Sequence, residues 1–310
     1  MARLIQATLR PQVASCVGVS LNRECIIIQS AAIEVEMIIP RFTTLLTAWA
    51  LSLSLLSPVT AQVLHKNTSD VATVTLLPGW RDDDGTHHAA LKFVLAPGWK
   101  TYWRAPGDGG VPTLLDWSGS SNLSDVAVQW PTPEVFRQNG LRSIGYHGEF
   151  VLPLTFRAAS DGPIIIDGHL KFGVCEEVCM PLDLDLHMLL PPDQKTPVVE
   201  IAAALRRQPM TAAQAQVRRV ECSASYRNGR ARVDVEIDMP PMEGRSEAMV
   251  IEAPNSGLWI SEPFVVREGD TLHASAEMAT RSGTPFRLDL DQLRITVITT
   301  QNAVDIKGCR

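Results

Sequence analysis

The alternation of apolar and polar positions is most regular over residues 182–190. There Leu182, Leu184, Leu186, Met188 and Leu190 are interleaved with Asp183, Asp185 and His187. A period of two is the signature of a strand with one buried face. Upstream, residues 164–166 and 170–172 are rich in Ile, Leu and Phe and read as a second strand. The stretch Gly-Val-Cys-Glu-Glu-Val-Cys-Met-Pro fills residues 173–181, so Cys175 and Cys179 sit where one strand hands over to the next. Residues four apart in an extended chain are separated by about 13 Å. A disulfide needs its Cβ atoms about 3.8 Å apart. The two cysteines therefore pair only if the chain turns sharply between them, at a hairpin tip or in one helical turn.

The same patterning predicts strands over residues 71–77, 88–95, 99–103, 114–117, 126–130 and 150–156, separated by Gly- and Pro-rich turns. Short strands so spaced imply a β-sandwich. Pro153 suggests that its strand lies at an edge. Residues 196–208 have helical spacing after Pro191 and Pro192, and read as a linker helix. Beyond them Val233, Val235, Ile237 and Met239 alternate with Arg232, Asp234, Glu236 and Asp238, and apolar runs recur at 249–251, 264–266 and 294–299. The expected fold class is all-β, a β-sandwich followed by a second β-rich domain.

The N-terminal stretch sets the compartment. Residues 42–56 are an apolar run behind a weakly basic start, and small residues precede Gln62. This pattern predicts a secretory signal peptide over 37–61, cut after Ala61. A membrane span needs about 20 apolar residues, more than this run supplies. Residues 1–36 read as an over-extended gene start, so Cys16 and Cys25 are expected to be absent from the mature product. The expected organisation is then 62–192 as the first β domain, 193–215 as the linker helix and 216–310 as the second sandwich. The product is expected to be soluble and periplasmic. Cys175, Cys179, Cys222 and Cys309 remain, an even set suited to an oxidising compartment.

Composition narrows the function. A net charge of -6 over 310 residues leaves no basic footprint for nucleic acid. There is no phosphate-binding Gly-rich Lys loop and no His-Glu-x-x-His motif. Five tryptophans, Trp80, Trp99, Trp103, Trp117 and Trp130, fall in the expected first β domain. Core and rim packing is the expectation for them, with a sugar-stacking platform as the alternative. His87 and His88 read as solvated loop residues.

A disulfide between Cys175 and Cys179 closes so short a ring that it constrains the unfolded chain by only about 2 kcal/mol. Poor staples of this kind suit thiol exchange, although a structural or metal-binding role is compatible with the same spacing. Glu176 and Glu177 lie between the thiols and raise their pKa, which suits electron carriage better than fast general nucleophilicity. No histidine stands at zinc-ligand spacing from the pair. Copper(I) held by Cys175, Cys179 and the Met180 thioether is the alternative that soft-ligand chemistry permits. Cys222 opens the second domain and Cys309 closes it. A bond between them spans roughly 88 residues and contributes about 4–5 kcal/mol, the size of a structural staple.

Three blocks in order carry a family resemblance. They are Gly-Trp-Lys-Thr-Tyr-Trp-Arg-Ala-Pro-Gly-Asp-Gly-Gly over 98–110, Gly-Leu-Arg-Ser-Ile-Gly-Tyr-His-Gly-Glu-Phe-Val-Leu-Pro-Leu over 140–154, and Val174 through the cysteine pair to Pro181. Together they resemble the N-terminal periplasmic domain of the DsbD/ScsB thiol:disulfide interchange proteins, in particular the ScsB-like branch with its Cys-x-x-x-Cys. The resemblance covers about residues 65–192 well and the later β domain more loosely. It implies an immunoglobulin-like first domain and protein-disulfide reductase activity through the cysteine pair, with no cofactor. It implies that Cys179 forms the mixed disulfide and Cys175 resolves it. It also implies a cap loop around residues 137–147, with Leu141, Ile144 and Tyr146 as shielding candidates. The implied partners are a thioredoxin-like domain or membrane electron-transfer protein as donor and a periplasmic disulfide-containing protein as acceptor. Family members continue into a multi-spanning domain and a thioredoxin-like domain. This sequence carries neither late apolar spans nor a Cys-x-x-Cys, so the expectation is one station of a relay whose donor is another polypeptide. The competing expectations are a copper-tolerance protein using the same thiols, and a non-catalytic binding module.

Overall fold

The computed structural model describes residues 68–138, 140–254 and 257–309. The expected gene-start segment, the signal peptide, Cys16 and Cys25 lie outside the described residues.

The first half opens with one helical turn, α1 (Thr68–Val71), followed by ten strands. These are β1 (Ala72–Arg81), β2 (Thr86–Leu95), β3 (Lys100–Tyr102), β4 (Leu114–Asp116), β5 (Leu123–Val128), β6 (Glu134–Gln138), β7 (Leu141–His147), β8 (Glu149–Ala158), β9 (Ile164–Cys175) and β10 (Cys179–Leu190). One sheet has the order β1-β2-β8-β5; the other runs β10-β9-β3-β7-β6, with β4 also paired to β9. Leu91, Phe93, Leu152, Leu154 and Phe156 from the first sheet share one core with Ile164, Ile166, Leu170, Phe172, Leu182 and Leu186 from the second. The alternation in β10 thus does what its period of two requires: Leu182, Leu186 and Leu190 face the core, and Asp183, Asp185 and His187 face water.

The second half comprises helix α2 (Val199–Leu205), β11 (Met210–Thr211), β12 (Arg219–Arg227), β13 (Arg230–Asp238), β14 (Ala248–Glu252), β15 (Leu258–Ile260), β16 (Phe264–Glu268), β17 (Thr271–Thr280), β18 (Arg294–Ile298) and β19 (Ala303–Lys307). Its sheets are β11-β19-β18-β14 and β12-β13-β17-β15, with β16 also on β17. Val233, Val235 and Ile237 meet Met249, Ile251, Ile295 and Val297 in the second core.

The architecture is β-rich and two-domain, but it is not strictly all-β. Helix α2 is shorter than the expected 196–208 span, and it buries Ile201 against Trp80 and Ala90 of the first half. Pro153 is not at an edge, since β8 pairs with both β2 and β5. The pairing with β5 has ended by this residue, so only the Pro153 carbonyl is called on, accepting from the Gln129 N–H at 2.9 Å. The absent N–H therefore costs no ladder bond. Residues 137–147 are no loop either; most of them belong to the β6–β7 hairpin.

His87 and His88 lie in β2, not in a loop. His87 is fully buried. Its Nε2–H donates to the Pro78 carbonyl at 2.6 Å, and its Nδ1 accepts from Arg81 Nε at 3.4 Å. Burial is the main reason its pKa falls below the ordinary value. Trp80, Trp99 and Trp103 are buried and Trp117 and Trp130 pack against the cores, so the tryptophans form no open platform.

The two halves meet along the β3–β7–β6 side of the first. Trp103, Ile144 and Tyr146 pack with Val250, Ile298 and Ala303. Arg104 grips the Glu252 carboxylate through Nε at 3.1 Å and Nη2 at 2.9 Å, and also donates to Thr296 Oγ1. Arg142 donates to the Met249 carbonyl at 3.0 Å. Arg137 pairs with Glu262 at 2.6 Å.

Candidate functional site

Strands β9 and β10 form one hairpin, and its register places Cys175 directly opposite Cys179. Glu176, Glu177 and Val178 make the turn, so the sharp reversal demanded by the spacing is a hairpin tip. The cysteines are disulfide-bonded with their Cα atoms 4.1 Å apart. That separation belongs to the narrow class of antiparallel pairs, whose Cα atoms approach to about 4.5 Å.

The two sulfurs differ in access. Cys175 is 6% exposed, whereas Cys179 lies on the exposed side of the hairpin. Val174, one residue before Cys175, points into the core. Alternation therefore puts Cys175, and Cys179 opposite it, on the outer face of the sheet. Met180 pairs with Val174 and packs against the core. The thioether and the two sulfurs therefore leave opposite faces of the hairpin and do not converge on one point. Among the described residues no cluster of three or more His, Cys, Asp or Glu side chains is placed to hold a metal.

Strand β3 supplies the neighbours of the disulfide. Lys100 pairs across the sheet with Cys175 on one side and with His147 on the other. Two residues on, and so on the same face, the Tyr102 hydroxyl lies 3.3 Å from Cys179 Sγ. One glycine makes room for that ring and a second for the backbone of β3. A Cβ at Gly173 would come 3.2 Å from Tyr102 Cε2, and one at Gly145 would come 1.8 Å from the Thr101 carbonyl oxygen. Tyr102 is buried, which pushes its phenol pKa up and keeps the hydroxyl protonated as a donor.

The hairpin tip is held from the side by β6. Gln138 Nε2 donates to the Glu176 carbonyl at 2.9 Å, and Lys100 Nζ donates to Gln138 Oε1 at 2.8 Å. The Lys100 ammonium also lies 5.4 Å from the Phe136 ring centre. Half-buried, it is held below the ordinary lysine pKa by desolvation. Glu176 and Glu177 border the same 550 Å³ cavity as Lys100, together with Trp99, Phe136, Arg137 and His147.

The three shielding candidates from 137–147 occupy different places. Ile144 is fully buried between the two halves. Tyr146 is also buried, its hydroxyl donating to the Pro131 carbonyl at 2.9 Å and its ring stacked on Phe150. Both face away from the cysteines. Leu141 is exposed beside the β6–β7 turn, where it pairs directly with Gln138. Among the described residues of this segment, Gln138 hydrogen-bonds to the cysteine hairpin. Sequence reasoning missed Lys100, Tyr102 and Gln138. The only signal for the first two was their place in the 98–110 block.

Cys222 and Cys309 are bonded to each other with Cα atoms 5.5 Å apart. Cys309 is buried in the second core, and Cys222 packs against it.

Comparison with known proteins agrees with this geometry. Residues 73–191 match the family described as thiol:disulfide interchange protein DsbD, N-terminal. No curated protein matches the chain. Among solved structures, the N-terminal periplasmic domain of ScsB from Proteus mirabilis superposes with a TM-score of 0.60 at 24% identity, covering 77% of this chain and 93% of that one. That share is too large for the first half alone, so the similarity of fold extends into the second.

Proposed function

We propose that this chain, whose first half resembles the DsbD/ScsB N-terminal periplasmic domain, is a periplasmic thiol:disulfide interchange module working through Cys175 and Cys179. The observation that carries the reading is the unequal exposure of two sulfurs bonded across a hairpin tip. A short exposed disulfide is a poor staple and a good exchange site. The first half is taken as an immunoglobulin-like sandwich, a description supported by its two sheets enclosing one core.

The chemistry follows from access. A thiolate of a reduced thioredoxin-like donor attacks the exposed Cys179 sulfur in line with the disulfide. The S–S bond breaks, its electron pair goes to Cys175, and a mixed disulfide joins the donor to Cys179. The donor's second thiolate attacks its own first sulfur and releases Cys179 as a thiolate. The module is then a dithiol and the donor is oxidised. Toward an oxidised acceptor, Cys179 attacks and Cys175 resolves. Tyr102 is placed to donate a hydrogen bond to the Cys179 thiolate, and hydrogen bonds to charged groups are the stronger kind. Val178, 72% exposed at the tip, offers the partner an apolar contact beside the reacting sulfur.

A redox titration with mass-spectrometric readout tests the reading. Adding a reduced thioredoxin-like donor should convert Cys175 and Cys179 to thiols while Cys222 and Cys309 stay bonded. A pair that stays oxidised with every donor of low potential would exclude exchange.

A further inference from the structure

We propose that Lys100 is the electrostatic partner of the Cys175 thiolate, the anion that forms each time the disulfide opens. This rests on the exchange reading and concerns the sulfur that the incoming partner does not touch.

The register is the first observation. Lys100 and Cys175 are directly paired on β3 and β9, and paired residues project from the same face of a sheet with Cβ atoms about 4.5–5.5 Å apart. The second observation is the state of the ammonium. It is half-buried, and among the described residues no carboxylate pairs with it. Its hydrogen-bond partner is the neutral Gln138 amide. Withdrawing a cation from water without an anion is unfavourable. The arrangement makes sense if an anion appears opposite it in one redox state only.

The other charged groups around Cys175 are accounted for. On β7, His147 pairs with Glu134 at 2.9 Å. On β6, Arg137 is engaged by Glu262 of the second half. On β9 itself, Lys171 lies 3.8 Å from Asp183. On β10, the Cys179 sulfur has the Tyr102 hydroxyl. At the tip, Glu176 and Glu177 are exposed and oppose a thiolate. Among the described residues, Lys100 is the cation placed to offset them. The two outward β3 side chains thereby serve one sulfur each, Lys100 the buried one and Tyr102 the exposed one.

When a donor thiolate attacks Cys179, Cys175 is the leaving group. A more acidic leaving thiol departs faster. In the resolving direction, the same charge raises the thiolate fraction of the attacking Cys175.

The test needs no electron donor. In the full chain carrying Cys179→Ser, the alkylation rate of Cys175 by iodoacetamide is followed against pH by mass spectrometry of its peptide. Lys100→Met should raise the midpoint of that profile by about one pH unit, as expected for loss of a close opposite charge. Lys100→Arg should restore it. If Lys100→Met does not fold, Lys100→Gln supplies the neutral variant. An unmoved midpoint in the neutral variant, or an Arg variant that behaves like it, would overturn the proposal and leave exchange through Cys179 standing. A shifted midpoint in a protein that no donor reduces would instead remove the exchange reading and leave the Lys100–Cys175 interaction in place.

Discussion

The Tyr102 hydroxyl lies 3.3 Å from Cys179 Sγ, although 77 residues separate the two in the chain. The ring lies against Gly173 of β9, which has no Cβ to crowd it. Tyr102→Phe keeps the ring and removes only the donor. The expected result is a folded protein whose exchange with a thioredoxin-like partner slows about tenfold, because a hydrogen bond to a charged group contributes about 1.5 kcal/mol. Stopped-flow measurement of the reduced protein with an oxidised partner checks this. An unchanged rate would mean that the hydroxyl does not serve the thiolate.

The second disulfide should behave differently from the first. Cys309 is buried, and the bond to Cys222 closes a loop with a sequence separation of 87. Limited dithiothreitol treatment followed by alkylation should label Cys175 and Cys179 while Cys222 and Cys309 remain bonded. Equal labelling of all four would contradict the division into one exchanging and one structural pair.

Burial of His87 predicts an acid-side loss of stability. Its folded pKa lies below the ordinary value of about 6.5, chiefly through desolvation. Above that value the histidine is neutral in both states and nothing is lost. As pH falls through it, the unfolded chain takes up a proton that the folded chain does not, so stability declines until the lower folded pKa is reached. His169, bridged between Asp185 and Asp183, is shifted the opposite way and partly masks the trend. Thermal melts from pH 7.5 to 5 should therefore be compared between the wild type and His87→Gln. The variant should show the shallower dependence; parallel curves would contradict it.

The contact between the halves is testable through Glu252. Its carboxylate is held bidentately by Arg104, whose side chain is only 12% exposed. Glu252→Ala should lower the unfolding free energy in urea by about 2 kcal/mol. The figure is below that for a fully orphaned buried charge, because Asp305 remains 3.7 Å from Arg104. A change within experimental error would mean that the halves do not depend on this pair.

Strands built from large side chains in strict alternation were legible in the sequence: β10, β13 and most of the first core. The tight turn between Cys175 and Cys179 followed from spacing alone. The β6–β7 hairpin was not legible, because buried Arg142, Ser143 and Gly145 interrupt its apolar pattern. Arg142 is tolerated there because it donates to the Met249 carbonyl of the other half, a condition that no local window contains. Strand β17 hid for a related reason, since its buried positions include the small Ala274 and Ala276. His87 sits beside polar residues and reads as solvated, yet its partners are Pro78 and Arg81 on the neighbouring strand. The surroundings of the cysteines were hidden most completely. Lys100 and Tyr102 reach them through strand register, and register between β3 and β9 is a tertiary property.

The most direct measurement of the central claim is a trapping assay with single-cysteine variants. A thioredoxin-like protein keeping only its attacking cysteine is activated as the thionitrobenzoate mixed disulfide and mixed with reduced Cys175→Ser or Cys179→Ser protein. In Cys175→Ser the exposed Cys179 thiolate should displace thionitrobenzoate and leave a covalent complex that survives on a non-reducing gel, because no second thiol at the site resolves it. Cys179→Ser, with only the buried sulfur left, should release thionitrobenzoate far more slowly and form little complex. Faster trapping by Cys179→Ser would reverse the roles of the two sulfurs, and no trapping by either folded variant would contradict thiol exchange as the chemistry of this site.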